Sequence, residues 1–186
     1  MGACLCYGMV MSIITRRGDD GDTDLMYGGR TSKNAPEVVA CGAVDELNSS
    51  LGLLRVSDIP DDVSQQIDEI QGHLVALMGL LSVPAENRDK YLADGYPSVT
   101  EVEIDWLESI AVDMPTELSG WARPGASGNV GAAWMDMART ICRRAELSAW
   151  ALGDGRPVVA CQYLNRLSDI LWLWARKLEQ DAHVSE

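Results

Sequence analysis

The 186-residue chain contains no phenylalanine, only two histidines (His73 and His183) and no Cys-x-x-Cys pair. Zinc centres draw on clustered His and Cys, so no metal site built from protein side chains alone is expected. Basic residues are scarce too: 15 Lys and Arg stand against 28 Asp and Glu, a net charge of −13. Such a surface repels nucleic acid and anionic membrane, and any anion site must be a local concentration of arginine and lysine. No apolar run is long enough to cross a bilayer. The five cysteines (Cys4, Cys6, Cys41, Cys142, Cys161) are odd in number and irregularly spaced. That argues against a disulfide framework and for a reducing, cytoplasmic compartment.

The first ten residues are apolar but lack a basic segment and a cleavage site, so they do not read as a secretory signal. Gly2 and Cys4 faintly suggest lipidation, but Cys6 stands where Ser or Thr belongs. Met11 reads better as the functional start, with residues 1–11 a disordered extension and 12–186 a single domain. With 47% hydrophobic residues, that length suits one full core.

Five helical patterns follow one another, at 36–55, 61–81, 98–113, 132–152 and 157–180. Val39, Ala43, Leu47, Leu51 and Leu54 mark the first, and Val63, Ile67, Ile70, Leu74, Leu77 and Leu81 the second. Residues 84–97 and 114–131 read as irregular connections, and strand signals are confined to short runs near Ile13 and Val158. The expected fold is all-α: a five-helix bundle with a functional N-terminal loop.

That loop runs from Ser12 to Arg30 and mixes Gly18, Gly21, Gly28 and Gly29 with Asp19, Asp20, Asp22 and Asp24. Glycine lets backbone N–H groups converge on an anion, and Thr15, Thr23, Arg16, Arg17, Arg30 and Lys33 add donors and charge. Four acids are too many for a bare phosphate site, whereas a polyphosphate carrying Mg²⁺ accommodates both signs. Asp20, Asp22 and Asp24 have the opening spacing of an EF-hand, but Leu25 replaces its glycine and Thr31 its final Glu. No Walker string occurs. A solvated acidic loop remains the bland alternative.

In the fourth helix Arg139 and Arg143 share a face, with Glu146 one turn on. Stacked like charges cost energy unless an anion or a carboxylate lies between them. In the fifth, Asn165, Ser168, Asp169 and Trp172 share a face that could grip a base or sugar, or pin helices in register. In the first, Asp45 projects with Asn48, Ser49 and Gly52 and could hold an arginine of the fourth.

Taken in order, Thr15–Thr23, Gly28–Lys33, Gly42–Gly52, Ile70-Gln71, Ala138–Glu146 and Tyr163–Asp169 resemble the PduO-type ATP:cob(I)alamin adenosyltransferases. The resemblance covers about residues 12–177 and implies a ferritin-like five-helix bundle that trimerises, with ATP and corrinoid meeting at subunit interfaces. It implies that Thr15, Arg16, Gly18, Asp19, Gly21, Thr23 and Lys33 wrap the triphosphate of Mg-ATP. Arg139 and Arg143 would bind phosphates or stabilise the leaving group, Asp45 would brace Arg139 across the interface, and Glu146 and Asn165 would complete the nucleotide site. The implied partners are cobalamin as substrate, a flavoprotein reductase as electron donor and a downstream adenosylcobalamin-dependent enzyme.

The chain departs from the family on the corrinoid side. The family's Phe-x-Leu-Pro-Gly-Gly segment reads Trp121-Ala-Arg123-Pro-Gly-Ala, and its usual Leu-His before Ala-Arg reads Met135-Asp136-Met137. Trp121, Arg123 and Trp172 are the corrinoid candidates. The alternative to an active transferase is a module that binds ATP and a corrinoid or related tetrapyrrole with little transfer.

Overall fold

The computed structural model describes residue 14 and residues 16–112, 114 and 123–184. Six α-helices carry the fold: α1 (Pro36–Arg55), α2 (Asp61–Leu81), α3 (Arg88–Ala93), α4 (Glu101–Val112), α5 (Val130–Trp150) and α6 (Val158–Val184). Two three-residue strands, β1 (Asp22–Asp24) and β2 (Arg30–Ser32), form a hairpin ahead of them.

Local chemistry sets the helix ends. Pro36 opens α1, where its missing N–H costs nothing, and Arg55 in the last turn suits the negative end of the helix dipole. Asn129 caps α5 by accepting from the Ala132 N–H at 2.9 Å. At α4, the Glu103 carboxylate accepts from both the backbone N–H and the hydroxyl of Thr100 at 2.7 Å. The same hydroxyl accepts from Val102 N–H at 3.2 Å, closing a capping box.

The long helices bury one apolar stripe each. α1 packs between α2 and α5, α5 packs on α6, and α6 on α4. His73 of α2 completes the circuit, its ring edge-on to Trp106 of α4 with centroids 5.4 Å apart. Leu47, Leu51, Ile67, Leu74, Leu107, Met135 and Leu164 are fully buried at the centre. With no phenylalanine available, the large core volumes fall to Trp174 and Tyr163, which are also closed off from solvent. Cys142 and Cys161 are buried and Cys41 half-buried, all free. Burial pushes all three thiols up, which keeps them as inert apolar residues.

Two expectations need correction. Residues 84–97 are not simply a loop: a 3-10 turn at Ala85–Asn87 leads into α3. Tyr91 causes this, because it buries against α2 over Gly79, stacks on Tyr96 and donates to the Pro97 carbonyl at 3.0 Å. The short apolar run at Val158 is the first turn of α6, not a strand, and Ile13 lies outside the described residues. The strands fall instead within the acidic loop, where the polar composition hides them from a hydrophobic pattern.

His73 gives the fold a pH signature. Its Nδ1 lies 3.0 Å from the Tyr163 hydroxyl, and burial lowers its pKa below the ordinary value of about 6.5. The unfolded chain therefore binds a proton that the folded chain refuses, so this group's stability is present above about pH 6.5 and is lost as pH falls toward the depressed folded value. His73→Gln should flatten the pH dependence of urea midpoints across that window. An unchanged slope would show that other groups set it.

Candidate active site

The Gly/Asp loop is a hairpin, and its charges are largely self-compensated. Thr23 sits opposite Thr31 in the antiparallel register. Gly21 has φ +90°, a conformation that glycine reaches without strain, and turns the chain into β1. Lys33 staples the loop from both ends: its backbone N–H donates to Gly21 O at 2.9 Å and its Nζ to Gly18 O at 2.6 Å. A Cβ at Gly18 would lie 2.9 Å from that Nζ, so glycine keeps the staple in place. Arg30 donates to both Asp20 oxygens at 3.1 Å, and Arg17 pairs with Asp24 at 3.0 Å. Two of the four acids are thus taken by the loop's own arginines, which removes the objection that the segment is too acidic for a polyphosphate.

The hairpin is seated on α2 and α3. Met26 N–H donates to Ser82 O at 3.3 Å, and the Tyr27 hydroxyl to Asp94 at 2.7 Å. Desolvation and the Asp94 carboxylate push the Tyr27 hydroxyl up to about 12, so it remains a donor at neutral pH. Lys90 Nζ lies 4.6 Å from the Tyr27 ring centroid. Between hairpin, α1 and α2 opens a cleft of about 440 Å³, lined by Thr23, Val38, Gly42, Asp45 and Met78 among others.

The second group of candidates sits on α5 and α6. Arg139 donates through Nε to Asp136 Oδ1 at 3.1 Å. Arg143 Nη1 lies 2.6 Å from Glu146 Oε2. The nearly buried Glu146 also accepts from Asn165 Nδ2 at 3.2 Å, and Asn165 Oδ1 accepts from Arg166 at 3.1 Å. Arg166 in turn donates to Glu108 of α4 at 2.6 Å. Each of the stacked arginines therefore has its own carboxylate. Both are anchored from the side and remain partly exposed, at 30% for the Arg139 side chain and 47% for Arg143. A pre-paired guanidinium of this kind offers its remaining N–H groups to an oxyanion in a set direction.

The structure sorts the sequence candidates into two sets. Arg16, Gly18, Asp19, Gly21, Thr23 and Lys33 belong to the hairpin, with Asp45 in the cleft beneath it. Arg139, Arg143, Glu146 and Asn165 belong to the α5–α6 face, where the partners are α5, α6 and α4. Within one chain, Arg139's partner is Asp136, and the hairpin's hydrogen bonds run to the ends of α2 and α3. Arg123 is exposed and Trp172 half-buried, while Thr15 and Trp121 lie outside the described residues. Ser168 is buried and donates to Asn165 O at 2.8 Å, so it serves the helix rather than a ligand. Sequence reasoning took Asp136 only as a departure and overlooked Arg176, its second partner. The three-residue steps Asp136–Arg139 and Arg176–Glu179 were the available signal.

Residues 13–178 match the family pattern described as Cobalamin adenosyltransferase. The chain belongs to this family. A cobalamin adenosyltransferase of Cupriavidus metallidurans is 41% identical over 171 residues, spanning 90% of this chain and 88% of that protein. The corrinoid adenosyltransferase of Bacillus subtilis is 36% identical over 182 residues, spanning 95% and 91%. Among solved structures, a variant PduO-type ATP:corrinoid adenosyltransferase from Lactobacillus reuteri, complexed with cobalamin and ATP, has a TM-score of 0.77 at 29% identity. That likeness covers 91% of this chain and 96% of the other. As a member of the cobalamin adenosyltransferase family, the chain has the helical bundle expected, and no helix among its described residues is long and apolar enough to cross a membrane.

The Lys33 staple can be tested directly. Lys33→Met should speed amide exchange at Asp19 and Gly21 by about five- to tenfold, the factor one hydrogen bond carries. α1 amides should stay protected. Unaltered exchange at both positions would show that the ladder alone orders the loop.

Proposed function

We propose that the protein transfers the 5′-deoxyadenosyl group of ATP to the Co(I) of a corrinoid, giving adenosylcobalamin and triphosphate. The observation that carries this reading is the pair Arg139 and Arg143, one turn apart, each held from the side by a carboxylate with guanidinium edge to spare. A triphosphate leaving group needs this kind of fixed, directional positive charge on an otherwise acidic protein. Similarity to a corrinoid adenosyltransferase solved with cobalamin and ATP supports the same pair of ligands.

In the reaction the Co(I) electron pair attacks the 5′ carbon, the cobalt–carbon bond forms, and the carbon–oxygen bond breaks with its electrons leaving on triphosphate. No protein base is needed. The protein's share is positioning and charge. The hairpin wraps the triphosphate with Gly18, Gly21, Thr23 and Lys33, and Thr15 and Arg16 extend that wrap. Mg²⁺ enters with the nucleotide, where the exposed Asp19 can take its waters. Arg139 and Arg143 neutralise charge as the leaving group departs, and Asn165, hydrogen-bonded to Glu146, faces the nucleotide. In this reading the complete site forms between chains of a homotrimer, with Asp45 of one chain reaching Arg139 of the next. Trp121, Arg123 and Trp172 would meet the corrinoid. A cytoplasmic setting supplies both substrates, a flavoprotein reductase supplies the electron, and an adenosylcobalamin-dependent enzyme takes the product.

Mixing the protein with Mg-ATP and cob(II)alamin and then adding reductant tests the reading. A four-coordinate Co(II) absorption band followed by light-sensitive product is expected. Arg139→Ala should lower kcat/KM by about 100-fold, the usual cost of losing one such donor. Corrinoid binding without product would favour a delivery module, a reading motivated by the altered Trp121–Asp136 segment. No spectral change would leave only a structural bundle.

A further inference from the structure

Beneath Arg139 lies a buried chain of alternating charges. Asp136 is 4% exposed, and its two oxygens serve two different arginines: Oδ1 accepts from Arg139 Nε at 3.1 Å, and Oδ2 accepts from Arg176 Nη2. Arg176, 7% exposed, also pairs with the buried Glu179 at 2.9 Å. Carboxylate and guanidinium alternate along it, and pairing of opposite charges is the condition for keeping them out of water. Glu179 and Arg176 are anchored on α6, so α6 holds Asp136 still, and Asp136 holds Arg139. The grip is on Nε, which leaves both terminal nitrogens of Arg139 to point elsewhere.

We infer that Asp136 is the positioning residue for Arg139, fixing the guanidinium from behind so that its terminal N–H groups are presented to the triphosphate. This rests on the triphosphate role of Arg139 proposed above. It also relocates one of the two departures from the family pattern. Asp136 turns inward to the phosphate arginine, so its substitution for the family's usual histidine tunes the nucleotide half of the site and not the corrinoid half.

Asp136→Asn discriminates sharply because an amide has one acceptor where the carboxylate has two. The two arginines must then compete for it. The Arg176 side chain is 8% exposed and that of Arg139 30%, so an unpaired Arg176 is the more costly, and Arg139 loses its hold. Arg139→Lys makes the same cut from the other side, keeping the charge but lacking Nε.

The experiment is a double-mutant cycle on kcat/KM for ATP, with an NMR readout of the Arg139 Nε–H in the nucleotide-free protein. The Nε–H signal, identified by its loss in Arg139→Ala, should be motionally restrained in the native chain and mobile in D136N. D136N and R139K should each lower kcat/KM by about tenfold or more. D136N should add nothing further in the Arg139→Ala or R139K background. A mobile Nε–H in the native chain, or a D136N effect that persists unchanged without Arg139, overturns the positioning role. Native kcat/KM in Arg139→Ala would remove the triphosphate reading of Arg139 and this inference with it, whereas an impaired R139A with additive D136N removes the inference alone.

Discussion

A chain with a net charge of −13 that holds a polyanion must concentrate its cations, and here five cations of the hairpin and of α5 each have a partner of their own. Lys33 is held by the Gly18 carbonyl, Arg30 by Asp20, Arg17 by Asp24, Arg139 by Asp136 and Arg143 by Glu146. Pairing lowers the cost of crowding like charges and also removes rotamer freedom before any ligand arrives. The acids that make the sequence look hostile to phosphate are thus what orient its arginines. On the hairpin these pairs are solvent-exposed and individually weak. On α5 the carboxylates are buried, and there the direction of the guanidinium is fixed most firmly.

The two sets are carried by different elements. The hairpin is held by the ends of α2 and α3, while the arginine face is built from α5 with support from α6 and α4. In the proposed function the triphosphate needs both sets. There a ring of identical chains would complete the site, because a head-to-tail interface brings one surface of a protomer to a different surface of the next. Asp45 lines the cleft beneath the hairpin, and in the proposed function it makes that contact.

Much of this was legible in residues alone. The limits of α1 and α2 coincide with their apolar periodicity and flanking prolines, since both helices bury one stripe against neighbours on each side. The shared face of Arg139 and Arg143 follows from local spacing. What escaped depends on contacts between distant residues. The hairpin strands are three residues long and polar, so only their pairing reveals them. α3 exists because Tyr91 finds a groove over Gly79, a fact about α2 rather than about residues 88–93. Asp136 and Arg176 are 40 positions apart and meet only because α5 and α6 pack side by side.

If each site is completed by a neighbouring chain, two inactive variants must rescue each other. Chains carrying Arg139→Ala retain an intact hairpin, and chains carrying Lys33→Ala with Asp45→Ala retain intact arginines. Co-refolded as a mixture, they should regain adenosyl transfer well above either variant alone, because some interfaces then combine two undamaged halves. A mixture no more active than its parents would contradict the shared site and place hairpin and arginines within a single chain's active centre.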